Sequence, residues 1–141
     1  RAHLPALKEL LESTGLLVGE INPDEKTRYH GAAVFASNLV VSLMATAMDE
    51  FQKCGLSSEL LQKALSALVL GNAKKVLSNG PEAALTGPIE RNDVGTVINH
   101  INQLSGLNED IYRTLSKKAL EIGAKKRPDY AYCKLEEVLN T

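Results

Sequence analysis

Apolar residues recur at three- and four-residue spacing over most of this chain, and the breaks between the runs fall on glycine, proline and small polar residues. Leu4, Leu7, Leu10 and Leu11 share one helical face, with Gly15 placed to end the helix. Leu16 to Ile21 has the look of a short strand. From Asn22-Pro23-Asp24 the pattern turns helical and runs without another proline to Gly55, which predicts one helix of about 30 residues, near the upper end for a globular protein. Ser57 or Ser58 caps the next helix, whose apolar positions Leu60, Leu61, Ala64, Leu65, Leu68, Val69, Ala73 and Val76 lead to a stop at Asn79-Gly80-Pro81. Asp93 opens a helix carrying Val94, Val97, Ile98, Ile101 and Leu104, closed by Gly106. Asn108 is placed to cap another, with Glu109 and Asp110 in its first turn and Lys125, Lys126 and Arg127 at its end, the charge order that the helix dipole favours. Pro128 then starts a last short helix through Leu139. The expected fold class is all-α, a multi-helix bundle.

Length and composition narrow the classes of function. The 141 residues suit one domain able to bury a core without disulfides. A net charge of −1 with acids and bases interspersed provides no footprint for nucleic acid or an anionic membrane. Cys54 and Cys133 have no metal-ligand spacing, and free thiols in a reducing, cytoplasmic setting are the default reading. His30 and His100 form no i, i+4 pair and have no cysteine beside them, so no metal site is expected. Gly31 to Met48 carries no charge and approaches the lower length of a membrane span, yet Ser37, Asn38, Ser42 and Thr46 interrupt it. A central helix buried on most sides accounts for it better. Gly31, Ala32, Ala33 and Ala36 would let a second helix approach closely there, which favours a homodimer.

Two segments are dense in residues with special roles. In Ala84-Leu85-Thr86-Gly87-Pro88-Ile89-Glu90-Arg91-Asn92-Asp93, Gly87 permits positive φ or the close approach of a ligand, and Pro88 fixes φ. Thr86 supplies a hydroxyl, and Arg91 is a natural anchor for a carboxylate or phosphate. The competing account is a rigid turn in which Arg91 pairs with Glu90 or Asp93. Asp93 needs only its capping role. The second segment, Tyr29-His30-Gly31-Ala32-Ala33-Val34-Phe35-Ala36-Ser37-Asn38, places His30, Ser37 and Asn38 near one helical stripe. Buried there, they need partners, either in neighbouring loops or in a ligand.

Together these motifs resemble the helical C-terminal domain of an uncharacterised family of Rossmann-like oxidoreductases, related to the C-terminal domain of 6-phosphogluconate dehydrogenase. The family pattern runs close to Tyr-His-Ala-Ala-Ala-Val-Phe-Ala-Ser-Asn and, later, Ala-Leu-Thr-Gly-Pro-Ile-Ala-Arg-Gly-Asp. Glu90 and Asn92 stand where the family usually has alanine and glycine, and asparagine tolerates left-handed φ well enough for the turn to survive. The resemblance implies that residues 1–21 are the tail of a missing nucleotide-binding domain and residues 22–141 a helical substrate-binding and dimerisation domain.

It further implies an NAD(P)-dependent oxidoreductase acting on a small-molecule substrate, with the cofactor bound mainly by the missing Rossmann domain, since no G-x-G-x-x-G occurs here. His30 and Asn38 are the candidate catalytic residues. Ser37, Thr86, Gly87 and Arg91 are the candidate substrate contacts. In the 6-phosphogluconate dehydrogenase relatives a lysine stands four residues before the asparagine; here that position is Val34, leaving His30 as the nearby group able to act as acid or base near neutral pH. A non-catalytic helical dimerisation or interaction module is the alternative.

Overall fold

The computed structural model describes residues 3–141 and is all-α, with no strand among the described residues. Seven α-helices follow in order: α1 (Leu4–Ser13), α2 (Lys26–Ala36), α3 (Asn38–Lys53), α4 (Ser58–Ala84), α5 (Val94–Gln103), α6 (Leu107–Lys126) and α7 (Cys133–Asn140). A single 3-10 turn, Pro23–Glu25, precedes α2. The described residues divide into two compact units, one ending at Ala45 and one running from Thr46 to Thr141. The division falls inside α3. The tail assigned to residues 1–21 begins at Arg1 and Ala2, which lie outside the described residues.

In the first unit, α1 ends at Gly15 with φ +83, the left-handed conformation that glycine adopts without steric cost. Residues 16–22 carry no regular structure, so the expected short strand does not form. A strand needs a neighbour for its backbone N–H and C=O groups, and no other strand is described. Asn22 starts the next element as expected, its side chain accepting from the N–H of Asp24 at 3.3 Å with Pro23 in the first helical position.

The single long helix expected over residues 23–53 is two helices. Ser37 breaks it at φ −128, ψ −82. Its hydroxyl donates to the Ala33 carbonyl at 2.7 Å, the bond its own N–H would otherwise make, and that N–H moves to Val34 O at 3.3 Å. Such back-bonding to the i−4 carbonyl bends helices. The expectation of burial is also corrected: neither α2 nor α3 contains a buried residue, and Phe35 and Val41 are 73% and 69% exposed. Apolar residues with small residues between them bury a helix only if another surface covers it. The stretch Pro23–Lys53 is long and apolar enough, by length and composition alone, to cross a membrane.

The second unit has its core where α5, α6 and α7 meet. Val97 and Ile101 from α5, Leu120 from α6, and Leu135 and Leu139 from α7 pack with Ile89 and Tyr132. Leu135 is fully buried, a contribution of about 1.5–3 kcal/mol for such a side chain. The Arg113 guanidinium donates to Val138 O at 2.6 Å and pairs with Glu109 at 2.8 Å, fastening α6 to the end of α7. His100 Nδ1 lies 2.9 Å from the Tyr112 hydroxyl, edge-on to its ring, and joins α5 to α6. Burial raises the Tyr112 pKa above its ordinary value.

Three helix ends differ from the sequence reading or sharpen it. Ser57, rather than Ser58, caps α4 by accepting from Leu60 N at 3.4 Å. Asn108 does not cap α6. Gly106 holds that position at φ +56, while Asn108 lies within the helix and its carboxamide donates to Glu50 of α3. The last helix starts at Cys133, not at Pro128, because residues 128–130 form a turn closed by Tyr130 N to Arg127 O. At Gly80, φ +80 and ψ +167 interrupt α4 as the Asn-Gly-Pro signal requires, although helix resumes for one more turn to Ala84.

Candidate functional site

The loop from Leu85 to Asp93 is a tight set of turns. Arg91 N donates to Gly87 O, Asn92 N to Ile89 O and Asp93 N to Pro88 O, at 3.1, 3.1 and 2.8 Å. Gly87 takes φ +100 and Asn92 takes φ +56, so both positions need the left-handed tolerance inferred for them. Asn92 also donates from Nδ2 to Ala131 O at 3.0 Å, tying the loop to the segment before α7. Asp93 caps α5, accepting from both the N–H and the hydroxyl of Thr96 at 3.0 and 2.7 Å, and these bonds lower its pKa.

What anchors the loop is Glu90. It is buried, and its carboxylate accepts from Arg127 Nε at 3.1 Å and faces Lys126 Nζ at 3.4 Å. The bond from Arg127, helped by Lys126, holds the carboxyl below its ordinary value against the opposing effect of burial. Lys126 also donates to Leu85 O at 2.7 Å, so two adjacent cations hold both flanks of the loop. On the backbone side, Tyr132 donates its phenolic hydrogen to Glu90 O at 3.0 Å. Loop and helix meet at Gly123, where a Cβ would stand in van der Waals contact with the Tyr132 oxygen at 3.4 Å and the Glu90 Cα at 3.7 Å.

The sequence reading missed this anchor. It accounts for Lys125-Lys126-Arg127 by the helix dipole alone, and the pairing of Glu90 that it offers, as the alternative to a ligand anchor at Arg91, is with Arg91. Arg91 is exposed and forms no ion pair among the described residues, although after the Thr96 bonds its charge helps to lower the Asp93 pKa, while Glu90 pairs with Lys126 and Arg127. The one available signal was Glu90 standing where the family pattern has alanine. An added carboxylate in a turn asks for a cation, and the basic run was its source.

Thr86, Gly87 and Arg91 therefore lie on one braced turn in the second unit. Thr86 and Arg91 are exposed and Gly87 is partly buried. His30, Ser37 and Asn38 belong to the first unit. The Ser37 oxygen stands 3.0 Å from Asn38 Oδ1, so these two side chains meet at the break between α2 and α3. His30 is exposed on α2, about two turns before the break, with no hydrogen bond among the described residues. The common stripe expected for the three ends at Ser37, because the helix that would have carried it is interrupted there. Among the described residues no three His, Cys, Asp or Glu side chains cluster in a way that would hold a metal ion.

No curated protein matches this chain, and no solved structure does. Residues 1–119 match the family described as Domain of unknown function (DUF2520), which takes in both motifs, the braced turn and most of α6. The chain belongs to the DUF2520 family.

Proposed function

We propose that this chain is the helical substrate-binding and dimerisation domain of a cytoplasmic NAD(P)-dependent oxidoreductase that acts on a small molecule. The observation that carries the reading is the Thr86–Asp93 turn. Its backbone is braced by Glu90, Lys126, Arg127 and Tyr132, yet the Thr86 hydroxyl has no hydrogen bond and the exposed Arg91 guanidinium no hydrogen bond or ion pair among the described residues, its charge acting on Asp93 only at longer range. A stiff turn presenting an exposed guanidinium and an exposed hydroxyl suits a substrate contact, because little conformational entropy is lost on binding. Arg91 anchors a carboxylate or phosphate, and Thr86 and the Gly87 backbone orient the rest. In the first unit, taken by itself, the reading assigns His30 the role of acid or base and Asn38, met by Ser37, that of a hydrogen-bonding group.

The exposed apolar faces of α2 and α3 support the dimerisation half of the proposal. The chain's own residues do not fit the dinucleotide. Its left-handed glycines, at positions 15, 55, 80, 87 and 106, lie at helix ends, kinks and turns, and none links a strand to a helix N-terminus. Calorimetry on this chain alone should accordingly show weak or no NAD(P) binding.

The deciding experiment uses the protein that carries the nucleotide-binding domain and follows NAD(P)H oxidation against a panel of small carbonyl compounds. His30→Ala and Arg91→Ala are expected to lower kcat/KM with little change in thermal stability. Turnover unaffected by either substitution would remove the proposed site. Intact cofactor binding with no turnover on any compound would leave the non-catalytic dimerisation module.

A further inference from the structure

A cleft of about 240 Å³ opens beside the kink of α4. Asn72, Val76, Pro81 and Ala84 of α4 form one wall, Leu85 and Thr86 continue it into the loop, and Ile122 of α6 faces them. The kink shapes the wall. Pro81 has no N–H to offer the carbonyl of Leu77, and Gly80 leaves the helical conformation, so α4 bends and its last full turn before the bend is short of a donor. The lining is mainly aliphatic. Its two polar side chains, the Asn72 carboxamide and the Thr86 hydroxyl, have no hydrogen-bond partner among the described residues.

We propose that this cleft binds a small neutral ligand, an aliphatic group of a few carbons bearing a hydroxyl or amide, and that it holds the neutral arm of the substrate. The choice of a neutral group follows from the charges. No ionised side chain lines the cleft. Lys126, which bonds to the lining residue Leu85 through its carbonyl at 2.7 Å, is also paired with the Glu90 carboxylate at 3.4 Å, and the exposed Lys74 and Lys75 beside Val76 are not among the lining residues. A carboxylate entering here would give up water without gaining a counter-charge, whereas a hydroxyl or amide finds groups that both donate and accept. The size points the same way, since the volume lies below the roughly 300–1,000 Å³ of sites for drug-sized ligands. Arg91, the anchor proposed for an anionic group, is not among the lining residues, so cleft and anchor serve different ends of one substrate.

This assignment rests on the reading of Thr86 as a substrate contact, but its test needs no turnover. The 15N-labelled 141-residue chain is titrated at neutral pH with n-butanol, butyramide and butyrate, and backbone amide shifts are followed. Butanol and butyramide are expected to move Val76, Leu85, Thr86 and Ile122, with butyrate at least about tenfold weaker. Thr86→Val, which removes the hydroxyl at nearly constant shape, should weaken butanol by about 2- to 12-fold, the worth of one neutral hydrogen bond. Asn72→Lys should reverse the preference in favour of butyrate. Equal response to all three compounds, shifts confined to other residues, or no effect of either substitution would overturn the assignment. Such a failure leaves the oxidoreductase reading to be judged by turnover, and absence of turnover in turn leaves the cleft to be judged by these shifts.

Discussion

The Tyr132 hydroxyl donates to the backbone oxygen of Glu90 across 42 positions of sequence, at 3.0 Å and out of contact with water. One phenol thus fixes the height of the Thr-Gly-Pro turn over α6 and the path of the chain into α7. The bond is made in a buried setting, where leaving the carbonyl unpaired costs more than an exposed hydrogen bond is worth. Tyr132→Phe keeps the ring and removes the bond. It is expected to lower stability to chemical denaturant by about 1–3 kcal/mol, with the amide signals of Glu90 and Arg91 shifting more than those of α4.

Glu90 makes the acid limb of stability partly its own. Because Arg127 and Lys126 hold its carboxyl below the ordinary value of 4.5, the unfolded chain takes up the proton before the folded one as pH falls. The stabilisation is full above about 4.5 and is lost as pH drops through the lower folded value. Asp93 and Glu50 share this direction, through the bonds from Thr96 and from Lys53 and Asn108 respectively. Glu90→Gln should flatten part of the fall in unfolding free energy between neutral and strongly acidic pH. An unchanged pH profile would show that the carboxylate is not held as described.

Asn92 carries a second test, of backbone rather than charge. At φ +56 an alanine is strained by about 1–2 kcal/mol, and Asn92→Ala also withdraws the donor to Ala131 O. Asn92→Gly loses the donor but no longer strains the turn, and it removes the buried Oδ1 that has no partner. Thermal melts should therefore rank the native chain or Asn92→Gly highest and Asn92→Ala lowest. Alanine ranking above glycine would contradict the left-handed turn.

The proposed dimer predicts a response at the exposed face of α2 and α3. Phe35→Asp or Val41→Asp places a charge where an apolar surface would have to be covered, which opposes association without disturbing a core that neither residue joins. Light scattering should show the native chain as a dimer and each variant as a monomer of unchanged helicity. A monomeric native chain at high concentration would remove the proposal.

How much of this was legible in advance depends on the range of the interactions. The helical character of the chain, the capping by Asp93, the helix start at Asn22-Pro23, a serine cap at position 57 or 58, the break at Gly80-Pro81 and the left-handed tolerance at Asn92 all follow from residues within about four positions of each other, and sequence carries that information directly. The break at Ser37 is equally local, yet it was hidden because a serine in an apolar helix either turns outward or back-bonds to the preceding turn, and the pattern does not distinguish the two. The pairing of Glu90 with Lys126 and Arg127 joins residues 36 and 37 positions apart by way of two intervening helices, so only the packing of α5 and α6 could decide it. Burial was decided at the same level. Periodicity shows which face of a helix is apolar, but the cover for that face comes from other surfaces. In α5 and α7 the chain supplies that cover itself, and in α2 and α3 it leaves the apolar residues open to solvent.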